Sequence, residues 1–207
     1  MKVKKLEEIA EVLKDWLVSI YLYQKGDQKI PVFIVKEVNF VFLDSLRSLF
    51  AREQFIMLTE DDIREWNDVF CLKLLHIKNH SEIFYGTDIL SQISFDIGDL
   101  KSSLELEIRN KRIQLREEYL SQTKGRHFMQ YLLPWMQILW EWLLSLKTPK
   151  IKLPADTKEL LSLFDIAWSC NSQIFYYLIE GTLEEKSIPS FIHDTDEYLS
   201  DLCRRVN

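Results

Sequence analysis

The sequence predicts an α+β protein in which a small mixed sheet with flanking helices is followed by a C-terminal helical bundle. Three observations carry this. Apolar runs of strand length fall in the first third of the chain, at Val18–Tyr23, Pro31–Val35 and Phe55–Leu58, while longer stretches with helical spacing fill the rest. Glycine and proline number only five each in 207 residues, too few for an all-β chain full of turns. Hydrophobic residues make up 47% and charged residues 28%, the usage of a chain that buries a core and not of a disordered one.

The elements follow in order. Over residues 4–18, Leu6, Ile9, Ala10, Leu13, Trp16 and Leu17 share one helical face, with charges on the other. Val18–Tyr23 reads as a strand, residues 24–29 as a turn, and Pro31–Val35 as a second strand. The second strand is apolar throughout, which places it inside a sheet, and the short turn makes the pair a hairpin. Leu43–Arg52 is helical and Phe55–Leu58 is a third strand. Thr59 then caps a helix, with Asp62 three residues on and acidic residues in the first turn. Phe70–Ile77 fits a strand or the end of that helix equally well.

Beyond Gly86 the character changes, which predicts an α/β domain over residues 1–90 and a helical domain over 91–207, with the boundary near 87–98. Asp99 caps a long helix reaching about Thr123, where Gly125 can end it. A helix over 127–147 follows, and Pro134 marks a kink or its first turn. Residues 148–154 form a loop, and shorter helices occupy 156–168, 171–180 and 190–205.

The charge balance is 26 basic against 32 acidic residues, net −6. Nucleic-acid binding is not indicated, because the best basic patch, Arg109, Lys111, Arg112 and Arg116, is interleaved with Glu105, Glu107, Glu117 and Glu118. Cys71, Cys170 and Cys203 are far apart with no CxxC pair, which fits neither a disulfide framework nor a zinc site. The N-terminus turns acidic at Glu7-Glu8, where a signal peptide needs an apolar run, so the expected location is the cytoplasm. Phe128–Leu146 is nearly long enough to span a membrane. However, Gln130, Pro134, Gln137, Glu141 and Ser145 recur at spacings of three and four on one stripe, as on a buried helix with one polar edge.

Few residues offer chemistry. His76 and His80 have the i,i+4 spacing of metal ligands on a helix, but no HExxH frames them and Ile77-Lys78-Asn79 resembles a strand running into a turn, so they read as surface or interface histidines. The acidic clusters Glu60-Asp61-Asp62 and Asp194-Thr195-Asp196-Glu197 stand at helix starts, where such residues complement the dipole. No metal site follows from them. Trp135, Trp140 and Trp142 lie on one aromatic helix, where core packing and a helix-in-groove or homodimer contact both remain open.

Several stretches have a further significance. Leu58–Asp62, Phe70–Ile77, Ile83–Asp88, Asp99–Lys101, Glu105–Lys111 and Leu115–Leu120 together resemble nucleotidyltransferase-like proteins, most closely over residues 55–121. These combine a small polymerase-β-type nucleotidyltransferase domain with a C-terminal helical bundle, as kanamycin nucleotidyltransferase does. The resemblance implies a Gly-Ser pair in a strand-to-helix turn to hold the triphosphate. It also implies two aspartates one residue apart on the next strand and a third carboxylate on a later strand, together holding two magnesium ions. In this chain Tyr21-Leu22-Tyr23 is followed by Gln24-Lys25 and not by Gly-Ser. Pro31-Val32-Phe33 stands where the paired aspartates belong, and Leu72–Ile77, matched to the later strand, has no carboxylate.

The expectation is therefore a catalytically inactive nucleotidyltransferase-like protein that acts by protein binding or self-association. No catalytic residue and no cofactor are expected. Tyr23, Gln24 and Lys25 are candidates for a vestigial nucleotide pocket, and Trp135, Trp140 and Trp142 for contact with a protein partner or a second copy. The alternatives are an active enzyme using magnesium and nucleotide through displaced ligands Asp27, Glu37 and Asp44, or a stand-alone helical adaptor whose front end is only a cap.

Overall fold

The computed structural model describes residues 3–25, 28–38, 43–44, 46–47, 50, 54–65, 70–121, 125–148 and 153–206, the side chains of 3, 4, 118, 121 and 125–130 excepted. The chain has an α+β fold and divides into two compact units, residues 1–96 and 97–207.

The first unit opens with helix α1 (Val3–Leu13), which buries Leu6, Ile9, Ala10 and Leu13 at helical spacing. The helix ends earlier than its pattern suggests, because Leu17 already belongs to strand β1 (Leu17–Lys25). Strand β2 (Gln28–Val35) pairs antiparallel with β1, with Lys25 opposite Gln28 at the hairpin end. Strand β3 (Ile56–Thr59) runs parallel to β2, and strand β4 (Ser81–Gly86) runs antiparallel to β1, giving the order β3-β2-β1-β4. The expected helix over Leu43–Arg52 lies largely outside the described residues.

Both faces of β2 are covered, which explains its uninterrupted apolar sequence. Phe33 and Val35 join Leu6, Ile9, Leu13 and Ile20 in a core on one face. Ile30, Val32 and Ile34 join Tyr21, Tyr23, Leu58, Leu74 and Ile77 in a core on the other. The alternation along the strand divides its side chains between the two.

Between β3 and β4 stand helices α2 (Glu60–Glu65) and α3 (Cys71–Asn79). The start of α2 is a reciprocal cap: Asp62 N–H donates to Thr59 Oγ1 at 2.9 Å, and Thr59 N–H donates to Asp62 Oδ2 at 2.7 Å. Phe70–Ile77, ambiguous in sequence, lies in helix α3 and its N-cap. Cys71, Leu72, Leu74, Leu75 and Ile77 are all buried there, so the apolar residues mark a helix packed on the sheet and not a strand within it. Gly86, beyond which the sequence changes character, is the last residue of β4. Its φ is +83°, and a Cβ there would lie 2.1 Å from the Val18 carbonyl oxygen, so only glycine fits.

The second unit is helical: α4 (Ile97–Ser121), α5 (Gly125–Lys147), α6 (Thr157–Trp168), the short α7 (Tyr176–Ile179) and α8 (Ile188–Val206). Gly125 begins α5 and does not end α4. The helix expected at 171–180 is a 3-10 turn, Gln173–Phe175, running into α7. Asp156 caps α6, its Oδ1 accepting from Lys158 N–H at 2.9 Å and Glu159 N–H at 3.0 Å. Leu104, Ile108 and Leu115 of α4, Met136, Leu139, Trp140 and Leu143 of α5, Phe164 of α6 and Leu199 and Leu202 of α8 are essentially inaccessible. Among the described residues no helix is long and apolar enough to cross a membrane.

Candidate functional site

The positions that the resemblance singles out lie on β1, β2 and α3. Tyr23 is buried on β1, and its hydroxyl is 2.8 Å from His76 Nδ1 on α3. Gln24 joins the backbone at the same place, its N–H donating to the His80 carbonyl at 2.8 Å. Lys25 is exposed at the end of the hairpin. The structure thus brings Tyr23 and Gln24 to the histidine end of α3 and leaves Lys25 in solvent.

Among the described residues β2 is the next element after β1, and no helix N-terminus follows β1 to receive a phosphate. Pro31, Val32 and Phe33 are buried within the sheet, the last two with no exposure at all. The later position is a helix and not a strand. These residues do not fit two magnesium ions, because a metal-binding set needs several convergent carboxylates and this part of the sheet offers apolar core. Of the displaced alternatives, Glu37 and Asp44 are exposed, and Asp27 lies outside the described residues. Among the described residues three strands precede residue 80, so the front of the chain is a sheet-bearing unit.

The helical setting of α3 changes the reading of its histidines. His76 and His80 stack with ring centroids 4.3 Å apart, and Tyr23 meets His76 edge to face at 5.6 Å. The i,i+4 spacing was visible in the sequence. Tyr23, 53 residues away, was not connected to it by any local signal.

A second polar group escaped notice altogether. The Tyr21 hydroxyl donates to Asp88 Oδ1 at 3.0 Å and accepts from Leu90 N–H at 3.0 Å, while Ser91 N–H donates to the same Asp88 oxygen at 3.1 Å. Burial pushes the Tyr21 hydroxyl above its ordinary value. Burial also pushes the Asp88 carboxyl up, but the hydrogen bonds from Ser91 and Tyr21 outweigh it and hold the group below the usual range. These contacts tie the segment after β4 to the sheet. Nearby, Val18, Glu60, Ile63, Arg64, Thr87 and Gln92 help to line an open cleft of about 600 Å³, which does not include Tyr23, Gln24 or Lys25.

The aromatic helix α5 divides its tryptophans. Trp140 has no exposure, donates from Nε1 to the Tyr198 hydroxyl at 3.2 Å and packs against Phe164 and Phe175. It is a core residue and presents nothing to a partner. Trp135 and Trp142 are half-buried, and the Lys111 ammonium sits 4.9 Å from the centre of the Trp135 ring. Burial pushes Lys111 below its ordinary value, opposed by Glu107.

Exposed apolar residues of this unit include a regular set on α4. Leu106, Ile113 and Leu120 of α4 are 61%, 52% and 78% exposed. They recur every seven residues, two helical turns apart, and so form one stripe. The class defined by these observations is an α+β protein with a four-stranded mixed sheet in its first unit and helices in its second. No protein family, no curated protein and no solved structure matches the chain.

Proposed function

We propose that this chain is a catalytically inactive nucleotidyltransferase-like protein that acts by binding protein, with a second copy of itself as the partner. The observation that carries the loss of catalysis is the burial of Pro31, Val32 and Phe33. Where the resemblance implies paired aspartates facing two magnesium ions, these residues form core, and a buried apolar strand cannot stabilise a transferring phosphoryl group.

The stripe on α4 supports self-association. The helix has 25 residues and is about 37 Å long at 1.5 Å per residue. An antiparallel pair centred on Ile113 sets Leu106 of one copy against Leu120 of the other. The same operation sets Arg109 against Glu117, an opposite-charge pair repeated on both sides of the two-fold axis. A single apolar row with two such pairs makes a modest interface, so the association is reversible and concentration-dependent.

Sedimentation equilibrium across a concentration series tests this. A monomer–dimer equilibrium is expected, with dimerisation weakened at least tenfold in Ile113→Glu, which buries two like charges at the axis. A parent chain that stays monomeric throughout would assign the stripe to a different partner. Titration with ATP, GTP, CTP and UTP, each with and without magnesium, tests the other half: no metal-dependent heat is expected, and micromolar metal-dependent binding would restore the enzyme reading.

A further inference from the structure

Helix α3 presents its two histidines one turn apart on one face. The rings of His76 and His80 stack at 4.3 Å with their planes inclined by 27°, and a ring nitrogen of one lies within 4.8 Å of a ring nitrogen of the other. Tyr23 fixes one of them. Its hydroxyl lies 2.8 Å from His76 Nδ1, and because Tyr23 is itself buried on β1 the contact holds the imidazole at a set orientation. When Nδ1 donates to the phenolic oxygen, the lone pair resides on Nε2. This is the outer-shell arrangement of metal-bound imidazoles, in which a neighbouring acceptor holds the non-ligating N–H and sets the tautomer.

We propose that His76 and His80 are the protein ligands of a binding site for a zinc-class divalent ion, with Tyr23 as the positioning residue. Two imidazoles select late first-row ions over magnesium and calcium, which favour oxygen ligands. Histidines at i and i+4 of a helix can share one ion. At zinc–nitrogen distances of about 2.0–2.1 Å a tetrahedral centre needs its nitrogens roughly 3.4 Å apart. A ring nitrogen of His80 already lies within 4.8 Å of one of His76, so rotation of the His80 side chain, with His76 held by Tyr23, brings the pair towards that distance without moving the helix. With two histidine ligands from this unit, the site binds more weakly than a four-ligand structural zinc and exchanges its ion readily. The inference is independent of the proposed self-association, since it draws only on β1 and α3.

Calorimetric titration of the full chain with zinc chloride tests it, with cobalt absorption as a second readout. One ion per chain is expected at micromolar affinity. His76→Ala and His80→Ala should each weaken binding at least tenfold, and Tyr23→Phe, which keeps the ring and removes the acceptor, about tenfold. Far-UV circular dichroism of each variant checks that the fold survives. In the parent chain, zinc should shift the ring resonances of both histidines, a readout that needs no variant. No saturable binding by the parent, or equal affinity in the His76→Ala/His80→Ala double variant, overturns the site. Unchanged affinity in a folded Tyr23→Phe overturns the positioning role.

Discussion

The N-terminal unit closes two apolar cores on the two faces of one sheet, whereas the C-terminal unit closes a helical core that includes a buried polar network. In the first, the two cores are apolar but for the hydroxyls of Tyr21 and Tyr23, which bond to Asp88 and to His76. In the second, Ser172 Oγ donates to Asp165 Oδ1 at 2.6 Å and lies 2.7 Å from the Tyr198 hydroxyl, which also receives Trp140 Nε1–H. Burial pushes the Tyr198 hydroxyl far above its ordinary value, against the hydrogen bonds from Ser172 and Trp140. A serine, an aspartate and a tyrosine in contact resemble catalytic machinery, but here they satisfy one another between α6 and α8. The comparison teaches that the hydroxyls of Ser172 and Tyr198 in the helical unit satisfy one another, whereas those of Tyr21 and Tyr23 reach from the sheet to Asp88 and His76.

The comparison can be broken most severely on the sheet. Phe33→Asp returns a carboxylate to a position that the resemblance assigns to metal binding. Because that position has no exposure, the charge has neither water nor a cation, and a loss of roughly 4 kcal/mol or more is expected. Urea unfolding measures it; a folded variant that gained magnesium affinity would instead show that the site is latent.

Gly86→Ala comes next. The added methyl must avoid the Val18 carbonyl while φ stays positive, so about 2–3 kcal/mol should be lost in thermal unfolding. A neutral result would mean that β4 can shift off β1 at little cost.

The smallest effect belongs to the charged joint of the helical unit. Asp196 of α8 accepts from Arg112 Nε at 2.9 Å and from Arg116 at 3.0 Å, both on α4. Burial raises the Asp196 carboxyl, but the two guanidinium groups more than offset it and hold it below the usual carboxylate range. A depressed folded-state value means that the stabilisation is fully present above the unfolded carboxylate value. It is lost as pH falls through the folded one. Asp196→Asn should therefore cost about 1.5 kcal/mol at neutral pH, and the gap between parent and variant should narrow as pH falls below about 4. Equal melting temperatures at neutral pH would reduce the joint to a surface ion pair.

How much of this the sequence revealed depends on the contrast between exposed and buried residues along each element. The hairpin was legible because β1 and β2 are apolar runs on either side of a polar turn. The cap at Thr59 was legible because it is completed within four residues. β4 was not, since Ile83 and Tyr85 are exposed on an edge strand and leave no apolar run to read. α3 stayed ambiguous because it buries residues around most of its circumference, so helix and interior strand give the same pattern. On α5 the tryptophan spacing could not distinguish a core residue from a presented one, and only the packing of Trp140 against Phe164 and Phe175 separates them. The histidine pair was visible, but its tie to Tyr23 crosses from one element to another and has no local signature.

The double burial of β2 has a consequence in time as well as in space. Neither α1 leaving one face nor α3 leaving the other uncovers the strand's amides, because β1 and β3 still hold them on both sides. Only a concerted opening of the whole sheet does so. The amides of Ile30 and Val32–Val35 should therefore be the last in this unit to exchange with deuterated solvent, at a rate set by its global opening and not by local breathing.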